Sequence, residues 1–155
     1  MHILERLLLQ TVKNGKTHRY SVSKGILGLR KAYCKYYKKR FDVSLNPENE
    51  VVVTLGSKEG LANLASAITS KGDIILVPDP SYPIHPYGFL IAGAIVKRIK
   101  MSEEVLFLKN LTKKIKKYKN KIKALVINYP NNPTTKVVDI NFYKEWDMKI
   151  SKQLR

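Results

Sequence analysis

Residues 123–135, K-A-L-V-I-N-Y-P-N-N-P-T-T, constrain this chain more than any other stretch. Ala124 to Ile127 make an apolar run long enough for one buried strand and too short for a helix. Prolines and asparagines follow at once, so the backbone must turn sharply at the strand's carboxyl end. In open α/β sheets that end is where ligands bind. Asn132 precedes Pro133, a pairing for which a cis bond is affordable, and its amide offers both donor and acceptor. On these residues alone, a ligand loop and an ordinary strand-to-helix loop both remain open.

The rest of the chain supplies the setting. Ile3, Leu4, Leu7, Leu8 and Val12 recur at helical spacing, and Asn14-Gly15 closes that helix. A polar, glycine-punctuated loop leads to a second helix from Leu29, with Ala32, Tyr33, Tyr36 and Tyr37 on its apolar side. From Glu50 onward strands and helices alternate. Parallel strands are expected near 51–54, 74–77, 94–99 and 123–127, separated by helices after Gly56, before Gly93 and over 103–118. A last helix aligns Phe142, Trp146 and Ile150. Repeated βαβ units predict an α/β fold, a mostly parallel sheet with flanking helices. No linker or internal repeat is evident, so residues 1–155 are expected to form a single domain, with 1–49 as a helical lead-in and 50–155 as βαβ repeats.

Composition excludes several classes. Cys34 is the single cysteine, which rules out an internal disulfide framework and a cysteine zinc motif. His2, His18 and His85 lack paired ligand spacing, so no metal site is expected. No apolar run approaches a membrane span, and the amino terminus does not read as a signal peptide; a cytoplasmic address and no membrane partner are expected. The net charge of +17 raises nucleic acid as a partner. The excess lysine accompanies abundant Ile, Asn and Tyr, all with A/T-rich codons. The run over 113–123 reads as the solvated end of a helix, with sticking to nucleic acid expected to be nonspecific.

The loops after the strands carry candidate chemistry. Gly56-Ser57-Lys58-Glu59-Gly60 sits where a strand gives way to a helix. Ser57 suits an N-cap, and open N–H groups with the positive end of the helix dipole make a phosphate site in physical terms. Pro78-Asp79-Pro80-Ser81-Tyr82-Pro83 is stiff and projects Tyr82 from the same sheet edge, where an aromatic can stack on a flat ring. The alternatives are a plain capped helix and a tyrosine packed under its loop.

Taken together, N-Y-P-N-N-P-T, G-S-K-E-G, V-P-D-P-S-Y-P and H-R-Y-S-V-S-K-G-I-L-G-L-R resemble, in order, segments of the class I/II aminotransferases, pyridoxal-phosphate enzymes of fold type I. The resemblance implies that Ser57 and Lys58 hold the cofactor phosphate, Tyr82 lies against the pyridine ring, and Asn132 bonds the ring's phenolic oxygen. It further implies that Tyr20 reaches the phosphate of a neighbouring subunit, hence a homodimer. Substrates would be an amino acid and a 2-oxo acid.

Three parts of the family's machinery are not matched: the catalytic lysine, the Asp at the pyridine nitrogen and the Arg that clamps the substrate carboxylate. Lys24, in S-V-S-K with Arg30 six residues on, imitates the lysine motif but lies before the phosphate loop, and reads as an exposed loop lysine. No catalytic residue is therefore assigned within the chain. The leading expectation is an inactive, truncated aminotransferase-like chain. The alternatives are one half of a split enzyme completed by a second, C-terminal chain, and a basic nucleic-acid-binding or scaffold protein. Thr135 stands where the family has Gly, which tolerates a positive φ that a β-branched residue disfavours. A shortened sheet should also leave Phe142, Trp146 and Ile150 partly uncovered and the chain marginal in stability.

Overall fold

The computed structural model describes residues 2–18, 20, 22–101 and 103–154, with side chains through residue 148. The chain divides into two compact units, Met1–Leu55 and Gly56–Arg155.

The first unit contains α1 (Ile3–Lys13), a short 3-10 turn (Gly15–Thr17) and α2 (Leu27–Phe41). Helix α1 has the expected apolar periodicity yet buries none of its residues. The tyrosine side of α2 is also exposed; the residue that α2 buries is Arg30. Its Nε donates to the Gly25 carbonyl at 3.1 Å, and Nη1 donates to the Pro47 carbonyl and, at 3.3 Å, to the Glu48 carboxylate. A guanidinium with several donors can tie two loop segments to the helix where an aliphatic side chain could not. Lys24 is exposed, as expected, and donates to the Glu48 carbonyl at 3.1 Å.

Residues 51–54 are not a strand of the sheet, contrary to expectation. Their β-branched side chains favour extended backbone, but a strand also needs a neighbouring strand. The Val53 N–H finds the Lys24 carbonyl of a loop instead, at 3.0 Å. Gly25 takes φ +82 there, and a Cβ would stand 2.4 Å from Val53 Cγ2, so that close approach requires glycine.

The second unit runs α3 (Ser57–Ile68), β1 (Ile74–Asp79), α4 (Ile84–Ile91), β2 (Ile95–Lys100), α5 (Glu104–Tyr118), β3 (Ile122–Leu125) and α6 (Ile140–Leu154). The sheet order is β2-β1-β3, all parallel, with Ile74 paired to both Ile95 and Ile122. The α/β class with a mostly parallel sheet and flanking helices is as expected.

Because side chains alternate along a strand, β1 feeds two cores. Ile74 and Leu76 face Ile99, Phe107, Leu108, Leu111, Ile115 and Phe142, from α5, α6 and β2. Ile75 and Val77 face Ala65, Phe89 and Ala94, from α3, α4 and the entry to β2. Asp139 caps α6 by accepting from the Asn141 and Phe142 N–H groups at 2.7 and 3.0 Å.

The expectation that Phe142 is uncovered is wrong. Its side chain is 3% exposed and its ring lies 5.5 Å from Tyr129 and 6.2 Å from Phe107. Helix α6 packs against α5 and covers Phe142 without further strands. Trp146 is half-buried beside the same core, and the Ile150 side chain lies outside the described residues.

Candidate functional site

Three parallel strands present their carboxyl ends on one edge, and the loops leaving β1 and β3 meet the start of α3 there. A cleft of about 500 Å³ opens at that meeting point, lined by Ser57, Leu61, Tyr82, Ile84, His85, Asn128 and Asn132. Its size lies within the range of small-ligand sites, roughly 300–1,000 Å³.

Helix α3 supplies one wall. Gly56, at φ +84 and ψ 166, is the N-cap, and Ser57 is the first helical residue, not the cap as expected. The backbone reason is that this region of φ/ψ is reserved for glycine. The Ser57 and Lys58 N–H groups fall in the first turn, where the helix provides no acceptor for them. The Lys58 ammonium lies 5.3 Å from the Tyr82 ring centre, so a cation adjoins the cleft that Tyr82 lines. An anion fits this corner on both counts.

The β1 loop supplies the aromatic wall. Tyr82 precedes Pro83, the N-cap of α4, and its carbonyl accepts from the His85 N–H at 2.9 Å. The two rings meet edge to face at 6.0 Å. His85 is buried, and burial pushes its pKa below the ordinary value of about 6.5.

The β3 loop divides its labour between two asparagines. Asn131 is buried: its Oδ1 accepts from the Thr134 N–H at 3.2 Å and the Thr134 hydroxyl at 2.7 Å, and its own N–H reaches the Lys136 carbonyl at 2.8 Å. Asn131 therefore holds the loop, while the exposed Asn132 lines the cleft. The Asn132–Pro133 peptide is cis. Tyr129 turns away into the α5–α6 core, where burial, with Tyr143 and Glu104 nearby, raises its phenol above the ordinary range.

Of the residues singled out from sequence, Ser57, Tyr82 and Asn132 line this one cleft and Lys58 stands beside it. Tyr20 belongs to the first unit and is fully exposed. Leu61, Ile84, His85 and Asn128 were missed. Leu61 was legible only as core periodicity, and a lone histidine carries no ligand signal. Asn128 sits in the quoted loop but is distinguished only by its Nδ2 bond to the Pro130 carbonyl at 2.8 Å.

The class I and II aminotransferase family matches residues 3–148, and the chain belongs to that family. AatC of Rhizobium meliloti is 50% identical over 138 residues, covering 89% of this chain and 34% of that protein. Glutamate-pyruvate aminotransferase AlaC of Escherichia coli is 44% identical over 144 residues, covering 93% of this chain and 35% of that protein. Among solved structures, apo-BacF from Bacillus subtilis superposes with a TM-score of 0.85 at 32% identity, covering 97% of this chain and 38% of that one. Thermus thermophilus aspartate aminotransferase with maleate gives 0.79 at 30% identity over 96% and 37%. The chain thus spans about a third of the length of the relatives it matches.

Two measurements probe the site's construction. Thr135 adopts φ +58, so the backbone keeps the left-handed turn although the residue is not glycine. A β-branched residue there costs about 1–3 kcal/mol, partly offset by glycine's greater unfolded-state freedom. Thr135→Gly should raise stability by about 1 kcal/mol in urea melts, and a loss of stability would contradict the assigned turn. His85 has the opposite character, a base held neutral by burial. The unfolded chain binds the extra proton first, so stability is full above pH about 6.5 and falls as pH drops below it. His85→Asn should flatten that part of the pH–stability profile; an unchanged slope would locate its cause elsewhere.

Proposed function

We propose that this chain forms the cofactor cradle of a pyridoxal-phosphate-dependent aminotransferase, and that by itself it does not transaminate. The convergence of Ser57, Tyr82 and Asn132 on one cleft supports this reading. In it, the first-turn N–H groups of α3, the Ser57 hydroxyl and the Lys58 ammonium hold the phosphate. Tyr82 lies along the ring face, and the Asn132 amide bonds the phenolic oxygen. Pyridoxal phosphate would supply the electron sink for chemistry at the amino acid's Cα. The 2-oxo acid is the second substrate, and Tyr20 serves the phosphate of a second copy in a homodimer.

What these residues do is bind and orient. Lys58 is assigned to the phosphate, and the residues lining the cleft include no lysine and no carboxylate, so they provide neither a nucleophilic amine at the ring nor a partner for the pyridine nitrogen.

Calorimetry with pyridoxine 5′-phosphate, which lacks the aldehyde and cannot react with the many surface lysines, tests the cradle. Binding should weaken about tenfold in Tyr82→Ala and in Asn132→Ala. Unchanged affinity in both would remove the cradle. Turnover of alanine to pyruvate with pyridoxal phosphate should not exceed that of the cofactor alone, and an enzyme-like rate would overturn the second half of the proposal.

Completion by further polypeptide is the second reading. An apolar groove runs along β3, lined by Leu76, Ile115, Ile122, Ala124, Leu125 and Trp146. The Trp146 Nε1 is buried there without an acceptor among the described residues. A polypeptide seated in that groove would cover both. Adding the remaining two-thirds of AlaC should then restore turnover; no restoration counts against this reading.

A further inference from the structure

A second cleft, of about 410 Å³, lies between strand β2 and helix α5. Arg98 and Lys100 line it from the strand, and Lys113, Lys114 and Lys117 from the helix. No carboxylate lines it. This juxtaposition is not a run of neighbouring charges, because the two rows come from separate elements.

The strand side is more than a charged wall. Strand β2 is an edge of the sheet, with no partner on its outer side among the described residues. The Ile95 N–H bonds to the Asp73 carbonyl at 2.8 Å and the Met101 N–H to the Asp79 carbonyl at 2.7 Å. Backbone direction alternates along a parallel strand, so odd positions of β2 serve β1 and Val96, Arg98 and Lys100 turn both N–H and C=O outward. The cleft therefore offers donors and acceptors on one side and ammonium groups on the other.

That combination selects the occupant. A phosphate backbone carries acceptors only and would leave the outward carbonyls unpaired. An extended peptide satisfies both kinds of group by adding as a strand. Lysines beside an edge oppose pairing with a second copy of the same basic strand. Carboxylate side chains reverse that repulsion. The Arg98–Asp79 pair, at 3.3 Å with both side chains about half exposed, is too solvated to cancel the field. Tyr118 at the cleft's end has the Lys97 and Lys117 ammonium groups near its ring, at 5.6 and 5.5 Å, and is not an open platform for bases.

We infer that the β2 edge and the α5 lysines form a docking groove for an acidic, extended peptide segment of a partner protein, held by strand addition. This site is independent of the cofactor cleft.

Fluorescence anisotropy with the full chain and a fluorescein-labelled peptide of alternating Glu and Val residues tests it. The peptide should bind, and alternating Lys and Val should not. N-methylation of alternate peptide nitrogens keeps the charge but blocks pairing, and should weaken binding about tenfold or more. Lys113→Gln/Lys114→Gln/Lys117→Gln should weaken it similarly. Lys31→Gln/Lys35→Gln/Lys39→Gln, which removes equal charge from α2, should leave affinity within about twofold. Circular dichroism checks that both variants fold. Equal binding of the methylated peptide, or equal loss in the α2 variant, would reduce the groove to net charge and overturn the inference. Tighter binding of a DNA duplex of ~20 base pairs that is lost in the α5 variant would assign the surface to nucleic acid instead.

Discussion

The second unit depends on β1 being hydrogen-bonded on both sides and buried on both faces. Ile74, Ile75, Leu76 and Val77 are at most 3% exposed, so every side chain of that stretch meets protein. A strand so placed has no alternative register, since a one-residue slip would exchange the sets that face α3–α4 and α5–α6. Its rigidity reaches the site through the loop that follows, because Tyr82 is only a few residues beyond the strand's end. The second wall comes from β3, whose Val126 N–H extends the pairing by bonding to the Leu76 carbonyl at 2.9 Å.

The candidate site illustrates how polar groups are shared between structure and function. Asn131 commits its side chain to Thr134 and is buried; Asn132, its neighbour, is exposed and lines the cleft. The same division holds at α3, where Gly56 absorbs the unusual backbone and leaves Ser57 and Lys58 to present the helix start. Preorganisation of this kind lowers the ordering cost of binding a ligand.

Charge on this molecule has more than one physical role. Arg30, buried, ties loops of the first unit together. Lys58 sits over Tyr82 beside the candidate cleft, and the α5 lysines flank an open strand edge. A net charge of +17 describes none of these separately.

Local pattern carried a great deal. The α/β class, all six helices and three of the four expected strands were legible, because amphipathic period and turn residues act over a few residues. So were Tyr82 and Asn132 as residues of loops at one sheet edge, since parallel connection puts strand ends together; Ser57 was legible as the start of a helix. Only the tertiary structure decided the fate of residues 51–54: their β-branched side chains request extended backbone, but pairing depends on a neighbour distant in sequence. It likewise decided that Phe142 is covered, because α6 folds back onto α5, and that His85 lines the cleft, because α4 packs against Tyr82. The β2–α5 groove was invisible for the same reason. Arg98 and Lys113 lie apart along the chain, and only the packing of helix on sheet brings strand edge and lysine row together.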